Sequence, residues 1–315
     1  MSNKKFNLIF VGTPDFGLLS LKKIKENKNF NIVAVITQPD KRMGRKMKKT
    51  SPPIKIEAKK YNIPIFQPDK IIEIEKELKE LKPDIIVVIA YGQIIPEKIL
   101  ILPKYYSINV HASLLPKYRG ASCIQAPLLN GDSETGITIM KMEKGLDTGP
   151  ILKQDKIQIK KDETAESLHD KLSKLSSDIL SDTLIKYIEG KIKPEKQSKE
   201  NSSYVKILKK EDGKINWNKE AIEIERMIRA LNPWPGTYTK IEEKNLILKI
   251  LEVKNEPLKI NKYKPGFFFL EKNKLFVQCG KNSLAIKKLQ LSGKKAMKAE
   301  DFLKGNKNII IKELS

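Results

Sequence analysis

Three short runs near the start of the chain, Asn7–Val11, Ile32–Thr37 and Ile85–Ala90, are apolar at successive positions and rich in Ile and Val. A strand with one face in water alternates apolar and polar residues, whereas a strand apolar on both faces needs cover on both. Between these runs, Gly17–Lys28 and Lys70–Lys82 carry apolar residues at helical spacing. Strands that alternate with helices predict a doubly wound, mostly parallel α/β sheet, Rossmann-like in layout. Ile108–Val110 and Gly136–Met142 are expected as further strands. From Glu163, the positions Leu168, Leu172, Leu175, Ile179, Tyr187 and Ile188 predict a long helix that stops at Gly190, a residue suited to the C′ position.

The pattern then changes. Residues 191–203 are polar, include Pro194 and show no periodicity, so 191–206 is expected as a linker after a catalytic domain over 1–190. One helical stretch follows at Lys219–Ala230. Beyond it, β-type runs at Leu246–Val253, Gly266–Leu270, Leu275–Cys279 and Leu284–Leu289 are separated by turn residues. Short strands at that spacing predict a small C-terminal β-barrel, OB-like, over 207–315.

Charge and cysteine usage narrow the function classes. The formal charge is +23, with 61 Lys and Arg against 38 Asp and Glu, which suggests a polyanionic partner. Only five of the cations are Arg, and Ile and Asn are abundant, a skew that AT-rich coding produces everywhere in a chain. Distribution is therefore more telling: residues 207–315 hold 24 cations against 13 anions, a net +11 in about a third of the length. No apolar run approaches the ~18–20 residues that span a bilayer, and the first apolar segment is too short for a signal peptide. With only Cys123 and Cys279, neither a disulfide scaffold nor a Cys-x-x-Cys metal site is expected. A cytoplasmic setting fits best.

Four segments could carry chemistry. Gly12-Thr13-Pro14-Asp15-Phe16-Gly17 follows the first strand, but lacks the second glycine of a dinucleotide fingerprint and the Gly-Lys-Ser/Thr of a P-loop. A tight turn is the simpler reading. After the second strand, the segment from Gln38 to Lys49 gathers six cations, including Arg42, Arg45 and Lys46. Its place on the ligand side of a parallel sheet favours phosphate contacts over a merely solvated loop. In the segment from Ser107 to Gly120, strand spacing puts Asn109 and His111 on one face, an amide able to hold an oxyanion beside an imidazole able to move a proton. His169, within the long helix, is expected to be structural. Finally, Asp147 in Glu143–Pro150 is either a turn residue or the carboxylate that orients His111.

The segments FVGTPDFG, TQPDKRMGRK, VVIAYGQIIP, SINVHASLLPKYRGA, ETGITIMKMEKGLDTGPIL, LNPWPGTY and LSGKKAM, in that order, resemble the methionyl-tRNA formyltransferases over essentially the whole chain. Asn-Val-His-Ala-Ser-Leu-Leu-Pro with the later Gly-Leu-Asp-Thr-Gly is similar to the wider 10-formyltetrahydrofolate-dependent transferases. The Pro-Trp-Pro segment and the basic C-terminal region are what point to the tRNA enzymes among them. One departure is visible: Ser122-Cys123 stands where the family commonly has Ala-Pro.

The resemblance implies that Asn109, His111 and Asp147 are catalytic. It implies that Ser113, Leu114, Leu115 and Pro116 line the site of 10-formyltetrahydrofolate, the formyl donor, with no metal. It further implies that Arg42, Arg45 and Lys46 meet initiator methionyl-tRNA, whose backbone the C-terminal barrel would track. A monomer with no membrane partner is expected. Three alternatives remain open at this point: transfer to a sugar nucleotide or glycinamide ribonucleotide, an RNA-binding protein with an inactive enzyme domain, and a folate hydrolase releasing formate.

Overall fold

The computed structural model describes residues 5–43, 47–241 and 246–310. The chain divides into two compact units. The first comprises residues 1–123, 135–157 and 169–205, and the second 124–134, 158–168 and 206–315. Packing therefore does not follow chain order, because two short pieces from the first half belong with the C-terminal unit.

In chain order the first half holds β1 (Phe6–Gly12), α1 (Leu18–Glu26), β2 (Phe30–Ile36), β3 (Lys41–Met43), β4 (Lys48–Thr50) and α2 (Pro53–Lys60). There follow β5 (Ile65–Phe66), α3 (Glu75–Glu80), β6 (Ile85–Ile89), α4 (Glu97–Leu100), β7 (Ser107–His111) and β8 (Arg119–Gly120). The series closes with α5 (Gln125–Asn130), β9 (Glu134–Lys141), β10 (Ile151–Gln158), α6 (Ala165–Ile188) and β11 (Tyr204–Val205). The main sheet has the order β10-β9-β7-β6-β1-β2-β5. The pairs β1–β2, β1–β6, β2–β5 and β6–β7 are parallel, and β7–β9 is antiparallel.

The apolar runs sit where double cover requires them: every residue of β6 is buried, and Leu8, Ile9, Phe10 and Val11 of β1 are fully enclosed. Burying side chains of this size contributes roughly 1.5–3 kcal/mol each. The expected helix over Lys70–Lys82 is a 3₁₀ turn at Ile71–Ile74 followed by α3. The long helix is α6, with Leu168, Leu172, Leu180 and Leu184 fully buried. The Gly12–Gly17 segment is a short structural turn from β1 into α1, where the Thr13 hydroxyl donates to the Tyr91 carbonyl at 2.9 Å.

The second half holds α7 (Ala221–Leu231), β12 (Thr237–Ile241), β13 (Leu246–Val253), β14 (Phe268–Glu271), β15 (Lys274–Gln278), β16 (Ser283–Leu291), β17 (Met297–Lys298) and α8 (Ala299–Ile310). The strands run β12-β13-β16-β15-β14, with β17 on β16, all in antiparallel pairs, as in a small barrel. Its core gathers Trp217, Ile224, Ile228, Ile250, Phe268, Val277, Leu289 and Phe302. The buried Trp217 indole is satisfied by the Thr239 hydroxyl at 3.1 Å, as an enclosed N–H requires. Among the described residues, no helix is long and apolar enough to cross a membrane.

Candidate active site

Strand β7 delivers the site. Its parallel neighbour β6 and antiparallel neighbour β9 fix its register, with Val88 opposite Asn109 and Thr138 opposite His111. Two-residue alternation then points Asn109 and His111 the same way. Asp147 arrives on the turn between β9 and β10. The Asn109 Nδ2 donates to Asp147 Oδ1 at 3.3 Å, and His111 Nδ1 lies 3.6 Å from Asp147 Oδ2. The three residues implied by resemblance are thus together. Asn109 keeps a second amide hydrogen for which no acceptor is found among the described residues.

The His111 ring is enclosed, and its Nε2 lies 2.9 Å from the Tyr118 carbonyl oxygen. A carbonyl only accepts, so Nε2 must carry a hydrogen. A neutral ring would then turn its Nδ1 lone pair towards the Asp147 carboxylate, whereas the imidazolium turns an N–H. Burial works against the charged ring. It is outweighed by the neighbouring Cys123 and by smaller contributions from Asp147 and the Tyr118 carbonyl. Together they push the imidazole up to about 9 from 6.5. The cysteine at the family's usual proline position therefore bears on the chemistry of the site, which its place in the motif alone did not reveal.

The residues flanking the imidazole are held in unusual backbone. Tyr118 has φ +60°, Asp147 φ +52° and Gly120 φ +104°. The left-handed region costs a non-glycine residue of order 1 kcal/mol or more and persists only where surroundings enforce it. Gly120 donates its N–H to Asp147 Oδ2 at 2.8 Å, and a Cβ there would come 2.4 Å from the Val205 carbonyl. Only glycine allows that close approach.

Ser113–Pro116 follows directly, with several of its polar groups already engaged inside the unit. The Ser113 hydroxyl donates to the Lys117 carbonyl at 2.6 Å, and the Leu115 N–H donates to Thr138 Oγ1 at 3.1 Å. Thr138 Oγ1 in turn donates to the Ser113 carbonyl, and Gln154 Nε2 donates to the Leu115 carbonyl at 2.8 Å. Ser113 and Leu115 are buried, while Leu114 is half-buried. The segment is accordingly a braced wall, and Leu114 is the apolar surface it offers. Thr138 and Gln154 escaped sequence reasoning because no motif contains them.

The basic segment after β2 is a hairpin, not a loop. Strands β3 and β4 pair with Arg42 opposite Lys49, and Arg42 is exposed. Arg45 and Lys46 lie outside the described residues. Asp40 anchors the base through Lys55 at 2.7 Å, Gln67 at 3.0 Å and Ser51 at 3.1 Å. The Lys55 ammonium, helped by Gln67 and Ser51, brings the Asp40 carboxyl down to about 2. His169 stands edge-on to Phe16 at 5.3 Å and faces the carboxylates of Asp15 and Asp170.

Residues 4–184 match the formyl transferase family, and residues 207–307 match the formyl transferase C-terminal domain. The methionyl-tRNA formyltransferase of Caldanaerobacter subterraneus subsp. tengcongensis is 46% identical over 306 residues, covering 95% of this chain and 96% of its own. That of Geobacter metallireducens is 44% identical over 302 residues, covering 95% of each. An N-formyltransferase structure from Helicobacter canadensis, in complex with folinic acid and dTDP-3-aminofucose, shares the fold. Its TM-score is 0.65 at 24% identity, over 90% of this chain and 99% of that one. On the match over nearly its full length, the chain belongs to the formyl transferase family, among the methionyl-tRNA formyltransferases.

Proposed function

We propose that this protein transfers the formyl group of 10-formyltetrahydrofolate to the α-amine of methionine esterified to initiator tRNA, acting as a cytoplasmic monomer. The observation that carries the catalytic assignment is the convergence of Asn109, His111 and Asp147. The attacking amine must be neutral, and α-amino groups titrate at about 7.7–8, so little base strength is needed. The formyl oxygen that gains charge on attack calls for donors. The remaining Asn109 amide hydrogen serves as one, and losing such a donor typically costs about 3 kcal/mol of transition-state stabilisation. A protonated His111 supplies positive charge beside that oxygen and a proton for the departing N10, and the proton that the amine sheds on becoming an amide restores the ring. Asp147, fixed by Asn109 and the Gly120 N–H, keeps the ring oriented.

For the folate, the half-buried Leu114 and its braced neighbours Ser113, Leu115 and Pro116 offer an apolar wall against which a flat heterocycle packs. The Ser113 hydroxyl and the Leu115 N–H are already engaged, so donation to the heterocycle from these two falls to other groups. For the tRNA, Arg42 stands exposed on its hairpin. In the second unit a groove of about 780 Å³ is lined by Lys160, Lys161, Arg226, Arg229, Lys254 and Lys287, against Asp132, Glu225 and Glu256. Such an excess of cations suits backbone phosphates.

The deciding assay is formyl transfer from 10-formyltetrahydrofolate to Met-charged initiator tRNA by the wild type and by His111→Ala. Transfer that collapses in the variant is expected. Turnover only on a sugar nucleotide, or formate released without an acceptor, would discard the tRNA reading and keep the fold.

A further inference from the structure

The segment 191–206 reads in sequence as a linker, yet it is seated on the first unit at the two places that touch His111. Glu195 bridges Ile151 through backbone bonds of 2.7 and 2.8 Å. Gln197 then makes four side-chain hydrogen bonds to oxygen and guanidinium partners, besides a longer one from Nε2 to the Met140 sulfur at 3.9 Å. Its Nε2 donates to the carbonyls of Asp147 and Gly149, each at 2.8 Å, and its Oε1 accepts from Nε and an Nη of Arg119 at 3.1 and 2.7 Å. Carbonyls only accept and a guanidinium only donates, so the amide has one possible orientation and its capacity is filled. Further on, the Ser203 hydroxyl accepts from the Tyr118 N–H at 2.9 Å, and the Ser203 carbonyl accepts from the Arg119 N–H at 2.8 Å. Strand β11 then pairs in parallel with β8, Tyr204 opposite Arg119 and Val205 opposite Gly120.

Tyr118 and Asp147 are the residues whose oxygens face the two ring nitrogens of His111, and both have left-handed backbone. Each is bonded by this one segment, Asp147 through Gln197 and Tyr118 through Ser203. We infer that residues 195–205 form a strap belonging to the catalytic site, with Gln197 as the positioning residue that holds Asp147 against His111. Gln197 also ties the two arms together, since Arg119 follows Tyr118 directly. The inference rests on the catalytic reading of His111 and Asp147 proposed above.

The test uses the full chain with Gln197→Ala, Gln197→Glu and, as control, Lys193→Ala, an exposed residue outside the strap. Gln197→Glu keeps an acceptor for Arg119 but faces the carbonyls of Asp147 and Gly149 with negative charge, so it separates holding the strap from holding Asp147. A displacement of about 1 Å at a reacting group costs up to roughly 100-fold. Both Gln197 variants are expected to lose about 10- to 100-fold in kcat, with KM for either substrate within about twofold. In Gln197→Ala the alkaline limb of the pH profile should move to lower pH, and Lys193→Ala should match the wild type. The histidine signals provide a readout without substrate: there are only two, His111 and His169, and His111→Ala assigns them by NMR. In Gln197→Ala the His111 titration should fall.

A wild-type kcat and titration in Gln197→Glu overturns the inference. So does a loss of activity that tracks a lowered Tm while the His111 titration stays in place. If His111→Ala itself transfers at the wild-type rate, the catalytic reading fails instead, and the titration still decides whether Gln197 positions Asp147.

Discussion

The His111 ring is buried among groups that favour its charged form, which sets a pH window. Transfer needs the amine neutral and the imidazole protonated. The rate should therefore rise through the amine's value, about 7.7–8 for an α-amino group, and fall as pH passes about 9. Cys123 contributes more to that upper limit than Asp147 does. Cys123→Ala is accordingly expected to move the alkaline limb down while leaving the acid limb in place, and an unmoved limb in the pH–rate profile would refute its role. The same raised value links to stability. Its contribution is complete below about 6.5 and is lost as pH rises through about 9. Urea unfolding of the wild type should show that slope, and His111→Ala should flatten it. None of this was readable from residue types alone, because Asp147 lies 36 positions away and the cysteine's contact depends on the turn at Tyr118–Gly120.

Among the elements, the doubly covered strands β1, β2 and β6 were legible because burial on both faces demands apolar residues at every position. Strand β10 was not. It ends the sheet order, and its sequence Ile-Leu-Lys-Gln-Asp-Lys-Ile-Gln is mostly polar because an edge strand is covered on few sides. Edge position did not make it idle, since Gln154 on β10 and Thr138 on β9 brace the Ser113–Pro116 segment. Thr138→Val preserves shape but deprives the Leu115 N–H and the Ser113 carbonyl of their partner. Leaving buried polar groups unsatisfied costs about 1–3 kcal/mol. The expected result is that loss in urea denaturation, with a raised KM for the folate and an unchanged KM for tRNA. A stability within about 0.5 kcal/mol of wild type would show that the brace is dispensable.

For the molecule as a whole, charge and domain order divide the labour. Arg42 and Arg45 account for two of only five arginines, and Arg226 and Arg229 for two more. Arg42 on the β3–β4 hairpin and Arg226 in the groove of the second unit fit the proposed contacts with phosphates, where a planar fork of donors outperforms lysine, whereas Arg229 is held by Glu225 and the Glu163 carbonyl. Arg45→Ala is expected to raise the KM for charged tRNA well above any change in the KM for folate. It should also flatten the salt dependence of the tRNA KM by about one counterion. Equal effects on both substrates would argue against the hairpin's role in tRNA contact.

The sequence by itself determined the layers and the chemistry on offer. Periodicity reports local burial, so it located the parallel strands, the long helix α6 and the β-rich second half. Residue type limits what a side chain can donate or accept, so it singled out Asn109 and His111. The tertiary structure alone decided which distant groups complete the site. Cys123, Gln197, Thr138 and Gln154 each act through neighbours that a turn, a register or a returning strap brings to them. A contact between residues far apart in the chain leaves no periodic trace, and a polar segment that packs through directed hydrogen bonds reads the same as one that stays in water.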